Sequence, residues 1–189
     1  LKDIDLAESY FLLAKNYYNQ NKYTSVLEQL TKAERALILT GSSDLDFTEE
    51  IISRTLLLDI YLLKEKTLWV EYQKNKNISF LNTLYKATIS TSLLSDVIID
   101  FYEHENAKLN IFNTVNENLY LGIKASKELY NITGDTKYIQ QAMTFFETEK
   151  SFLLKQEYKN LVAKNSKQIS DSLLLREDRL KREISKNQN

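Results

Sequence analysis

The stretch Tyr10-Phe11-Leu12-Leu13-Ala14-Lys15-Asn16-Tyr17-Tyr18-Asn19-Gln20-Asn21-Lys22-Tyr23-Thr24-Ser25-Val26-Leu27-Glu28-Gln29-Leu30-Thr31-Lys32-Ala33 decides the fold. Leu6, Tyr10, Leu13, Ala14 and Tyr17 recur at spacings of three and four, which is one face of a helix. Val26, Leu27, Leu30, Ala33 and Leu37 do the same after a polar break at Asn19 to Lys22. Two amphipathic helices joined by so short a break form an antiparallel hairpin. Small residues at Ala14 and Ala33 let the two helices approach closely, and the bulky residues fill the space between them.

Composition extends this reading to the whole chain. Its 189 residues include no proline and only three glycines. A sheet protein of this size needs many tight turns, and those draw on both residue types. Breaks fall at Asn19 to Lys22, Gly41 to Asp46, Lys74 to Asn77, Glu103 to Asn106, Thr133 to Asp135 and Asn165 to Asp171. Seven helices are expected between and beyond them. Six pair into hairpins over residues 3–41, 46–103 and 105–165, and a terminal helix spans 170–186. Asp46 and Thr48 before Glu49-Glu50 suit a helix start. Gly134-Asp135 combines a C-terminal glycine with an acidic N-cap.

The breaks inside the hairpins repeat. Asn21-Lys22-Tyr23, Asn77-Ile78-Ser79-Phe80-Leu81 and Asp135-Thr136-Lys137-Tyr138-Ile139 each set a polar cap before an aromatic. Asn21, Asn77 and Asp135 lie 56 and 58 residues apart. Such a period predicts stacked hairpins, an all-α right-handed solenoid built as a single domain over 1–189.

Charge and residue content bound the function. Lys plus Arg is 25 and Asp plus Glu is 26, so the chain lacks the basic excess of a nucleic-acid or anionic-membrane binder. The absence of cysteine removes thiol nucleophiles, thiolate metal sites and disulfides. His104 stands between Glu103 and Glu105, neighbours that diverge on a helix, so it reads as a solvated loop residue and not a metal ligand. Glu49-Glu50 and the pair Glu147 and Glu149 fall on expected helix ends and outer faces and read as solvated. Gly122 is isolated within a helix and reads as a point of close packing. No catalytic residue, metal site or cofactor is expected. No apolar run reaches the roughly 18 residues that span a bilayer, and a cytoplasmic location is the expectation. The chain starts at Leu1 without an initiator Met and reads as a piece of a longer protein.

The first hairpin resembles a tetratricopeptide repeat. Tyr10, Leu13-Ala14, Tyr17, the turn, Tyr23, Val26, Leu30 and Ala33 match that pattern over about 34 residues. Val26 departs from the usual Ala, and no Pro ends the second helix. The later hairpins are longer. Glu105-Asn106-Ala107-Lys108, Leu129 through Tyr138, Phe145-Phe146-Glu147-Thr148-Glu149-Lys150-Ser151 and Ser170-Asp171-Ser172-Leu173-Leu174-Leu175-Arg176-Glu177 are similar to helical arrays that precede caspase-like CHAT peptidase domains in bacteria. That resemblance covers about residues 48–186. It implies a parent protease with a His/Cys dyad, whose array senses or recruits a partner. A chain with one His and no Cys does not itself supply such a dyad. In a bacterial protein the acceptor-like triplets Asn77-Ile78-Ser79 and Asn131-Ile132-Thr133 carry no glycan meaning.

In tetratricopeptide stacks the first helix of each hairpin lines a concave groove that holds partner peptides. Extending that register here gives Phe11, Lys15 and Tyr18, then Glu65, Trp69 and Tyr72, then Ile123, Lys127 and Tyr130. Tyr and Trp dominate binding hot spots, which suits such a stripe to a protein or peptide partner, or to the chain's own downstream domain. The competing reading packs these aromatics between hairpins. One groove subtype grips a C-terminal carboxylate with Lys and Asn on consecutive turns, and Phe11 with Lys15 does not match it. The expected function is a non-catalytic interaction scaffold. A structural spacer or capping array and a small-molecule sensor are the alternatives, separated by an open groove, buried aromatics or an enclosed polar cavity.

Overall fold

The computed structural model describes residues 3–38, 51–102, 104–148, 150 and 154. The chain divides into two compact units, Leu1–Phe146 and Glu147–Asn189. The described residues belong almost wholly to the first. Among them the structure is helical and holds no strand: α1 (Ile4–Asn19), α2 (Tyr23–Leu37), α3 (Arg54–Asn75), α4 (Ile78–Phe101), α5 (Glu105–Thr133) and a sixth helical run, α6, over 137–148. The expected terminal helix at 170–186 lies outside the described residues. So do Asp46 to Glu50.

Local chemistry accounts for the ends of these helices. Asp3 Oδ1 accepts the Asp5 N–H at 2.8 Å and caps α1, while the Asp3 N–H donates to the Ala36 carbonyl and ties that start to the end of α2. The α1–α2 turn places Asn21 at φ 57°, a left-handed conformation that Asn tolerates better than most residues. The Tyr23 hydroxyl donates to Asn21 Oδ1 at 2.7 Å, and the Tyr23 ring meets Tyr18 edge-on at 5.6 Å. Asn77 Oδ1 caps α4 through the Ser79 N–H at 2.9 Å. Gly134 closes α5 at φ 68°, and Asp135 Oδ1 accepts the Lys137 N–H at 3.0 Å to open α6.

The start of the second hairpin differs from expectation. α3 begins at Arg54, with Ser53 as its N-cap, and not near Glu49. Ile51 forms an isolated antiparallel bridge with Ile38, and the Ile52 N–H donates to the Leu37 carbonyl at 3.1 Å. Those bonds tie Ile51 and Ile52 to the end of α2 outside any helix, so α3 forms only after them.

Consecutive helices pack, α1 on α2, α2 on α3, α3 on α4 and α4 on α5, and α3 also meets α5 and, more lightly, α1. Ala14 and Ala33 are both fully buried, as close helix approach requires. One core cluster gathers α1, α2 and the first half of α3, with Leu94 and Ile98 of α4, Val115 and Leu119 of α5, and Phe145. A second gathers Leu68 and Tyr72 with Leu81, Leu84, Leu121, Ala125, Leu129 and Tyr138. α3 is the common spine, contributing to both.

Candidate functional site

The face where α1 meets α3 carries a small open groove of about 210 Å³, lined by Phe11, Lys15, Asp59, Leu62, Leu63 and Lys66. Its floor is apolar. Phe11 is buried there, and Lys15 Nζ stands 4.4 Å from the centre of its ring. Its rim is charged. Partial burial at the groove rim raises the carboxyl of the otherwise exposed Asp59 above the ordinary carboxylate range, and the Lys15 ammonium pulls it partway back. Lys66 Nζ lies 2.7 Å from Glu117 Oε2 and links the rim to α5. Both partners of that pair are well exposed, so it adds little to stability.

Further along the same helices, Trp69 and Tyr72 of α3 lie 5.7 Å apart. Lys124 of α5 extends over two rings, 4.3 Å from Tyr120 and 5.7 Å from Trp69. Lysine stems shield aromatic faces in this way while their ammonium groups stay near water.

The residues expected on a concave stripe are distributed unevenly. Phe11 and Lys15 come together in the groove. Tyr18 is half-buried against Tyr23, and Trp69 is half-buried beneath Lys124. Ile123 is half-buried against the core, whereas Lys127 and Tyr130 are exposed. Two residues do not reach an open face. Glu65 is 0% exposed, and Tyr72 is buried with its hydroxyl donating to Glu128 Oε2 at 3.2 Å. In α3 the groove-lining position is Lys66, one residue and about 100° from the one expected.

The reason is visible in Leu56-Leu57-Leu58-Asp59-Ile60-Tyr61-Leu62-Leu63, where apolar residues point in every direction. A helix covered on several sides has no clear solvent stripe from which to read its register. Asp59 alone interrupts the run, and its exposure marks the face that sequence reading missed.

Glu65 belongs to a different assembly. Thr91 Oγ1 of α4 donates to Glu65 Oε1, and Asn118 Nδ2 of α5 donates to Glu65 Oε2 at 2.8 Å. The same amide donates to the Leu62 carbonyl at 3.0 Å. Thr88 and Thr91 are fully buried beside it, and Asn118 Oδ1 has no hydrogen-bond partner. Burial in this site pushes the Glu65 carboxyl up to about 8, against the opposing pull of its Thr91, Asn118 and Thr88 hydrogen bonds.

His104 is exposed at the start of α5. Among the described residues no three or more His, Cys, Asp or Glu side chains converge as metal ligands. Nor is any helix among them long and apolar enough to cross a membrane. No protein-family model, curated protein or solved structure matches this chain.

Proposed function

We propose that this chain is a non-catalytic protein-interaction module, a tetratricopeptide-like right-handed solenoid that receives an extended segment of a partner protein across α1, α3 and α5. One observation carries the reading: the open groove with an apolar floor of Phe11, Leu62 and Leu63 and a rim of Lys15, Asp59 and Lys66. That combination offers a pocket for one apolar side chain with charged groups around it to fix orientation. Trp69, Tyr120 and Lys124 extend the face beyond the groove. On the resemblance of residues 48–186, the module recruits a partner or its own downstream domain for a larger bacterial protein of the CHAT peptidase type.

The burial of Phe11, Glu65 and Tyr72 favours a second reading for those residues, in which this part of the array is a structural spacer. Displayed random peptides selected on the immobilised chain separate the two. Scaffold function predicts peptides whose binding falls at least tenfold with Leu63→Glu or Lys15→Glu, with helical content kept. Peptides indifferent to both substitutions remove the groove, and failure to select any binder favours the spacer.

A further inference from the structure

Each of α1, α3 and α5 carries an acidic residue seven positions before a lysine: Glu8 and Lys15, Asp59 and Lys66, Glu117 and Lys124. Seven residues are nearly two turns, so each pair stands on one face of its helix, roughly 10 Å apart along the axis. Between α3 and α5 the lysine of one helix closes on the acid of the next, Lys66 Nζ to Glu117 Oε2 at 2.7 Å. Between α1 and α3 the corresponding groups are Lys15 and Asp59, and the Asp59 carboxyl feels the Lys15 charge.

That second pair is open. Among the described residues neither side chain makes an ion pair or a hydrogen bond; the Lys15 ammonium rests over the Phe11 ring, and both residues are exposed. The groove with its apolar floor lies where the ladder fails to close.

The chemistry of an occupant follows. Lys15 only donates and takes an acceptor; an ionised Asp59 only accepts and takes a donor. The floor takes one apolar side chain, since about 210 Å³ is less than the roughly 300–1,000 Å³ that encloses a drug-sized ligand. The rim pairs Lys15 and Lys66 with Asp59 and Glu117, two charges of each sign. An acidic segment suited to Lys15 meets Asp59, and a basic one suited to Asp59 meets Lys15; like charges so opposed are selected against.

We propose that the groove takes a protein segment whose apolar anchor is flanked by one acidic and one basic side chain, the acid on Lys15 and the base on Asp59. The proposal rests on the scaffold reading above and names the partner's chemistry. Side chains on one face of an extended segment are two residues apart, so the motif is acid–x–apolar–x–base or its reverse, roughly 13 Å from end to end. A free amino acid offers the same three groups, but an open groove gives it few contacts, whereas a segment continues over Trp69 and Tyr120.

Synthetic peptides with a leucine anchor flanked by acid and base, by two acids or by two bases are titrated against the full chain by fluorescence anisotropy. The mixed peptide is expected to bind about tenfold tighter than either like-charged one. Lys15→Glu should make the two-base peptide the tightest, and Asp59→Lys the two-acid peptide. Lys86→Glu makes the same charge change on α4 and should leave the order as in the wild type. Circular dichroism checks that these exposed substitutions leave the helices intact. Peptides that bind alike, yet are lost with Leu63→Glu, keep the scaffold and overturn the charge pairing. The same exchange of order with Lys86→Glu makes net charge the cause and also overturns it. If neither these nor any selected peptide binds, the scaffold reading falls first; free leucine bound in the groove of such a chain overturns both in favour of a small zwitterion.

Discussion

Gly122 of α5 lies against Thr88 of α4 so closely that a Cβ added to it would stand 2.4 Å from Thr88 Cγ2 and 2.9 Å from a Phe145 ring carbon. Thr88 is fully buried and Phe145 nearly so, so neither can yield by swinging out into solvent. In an exposed helix, replacing Gly with Ala gains about 1 kcal/mol. Here overpacking, typically about 1–3 kcal/mol, opposes and exceeds that gain. Gly122→Ala is therefore expected to lower the melting temperature by several degrees. An unchanged or raised value in calorimetry would mean that α4 and α5 are not in such contact.

The pH dependence of stability follows from Glu65. Its folded value of about 8 stands above the ordinary 4.5, so the folded chain holds a proton that the unfolded chain releases. The contribution is fully present below about pH 4.5 and is lost as pH rises through 8, with a span of roughly 5 kcal/mol. Other carboxylates titrate near pH 4, so the informative quantity is the difference between wild type and Glu65→Gln. Gln mimics the protonated acid, so the variant should gain on the wild type steadily from pH 5 to 8 in urea unfolding. Parallel curves across that range would show that Glu65 ionises freely in the fold.

Gly122 and Gly134 show where the sequence alone sufficed. Isolated glycine within a helical pattern pointed to close packing at Gly122, and the cap chemistry at Gly134-Asp135 was readable because it depends only on neighbouring residues. The helical class and the α1–α2 hairpin follow from one periodic face per helix. α3 defeated the same method, since its apolar residues run nearly all round and leave no pattern that marks the solvent face. Register on such a helix is set by which neighbours cover it, a tertiary fact. The error of one residue exchanged Lys66 for Glu65, a rim residue for a core one. The bridge between Ile38 and Ile51 was likewise beyond local reading, because it joins residues across an intervening segment.

Tyr72 tests the corrected register. Its ring packs with Leu68, Leu81 and Leu129, and its hydroxyl reaches Glu128 on α5. Tyr72→Phe keeps the ring and loses one hydrogen bond to a carboxylate, an expected cost of about 1–3 kcal/mol at most. Tyr72→Ala empties the second core cluster and should cost about 3–5 kcal/mol. Equal and negligible effects of both substitutions on urea unfolding would return Tyr72 to the surface.

Gly134 isolates a backbone effect from packing. It closes α5 at φ 68°, and a Cβ placed there meets nothing within 4 Å. Any cost of substitution therefore comes from the left-handed conformation alone, which Ala resists by about 1–2 kcal/mol and Asn by less, since its short polar side chain bonds locally. Gly134→Ala should destabilise by about 1 kcal/mol, and Gly134→Asn by about half of that. The Gly134 N–H donates to the Tyr130 carbonyl at 2.8 Å, so loss of this cap should also speed amide exchange in the last turn of α5 while leaving α1 and α2 unaffected. If Ala and Asn are tolerated equally and exchange is unchanged, the helix does not end in the left-handed conformation at this residue.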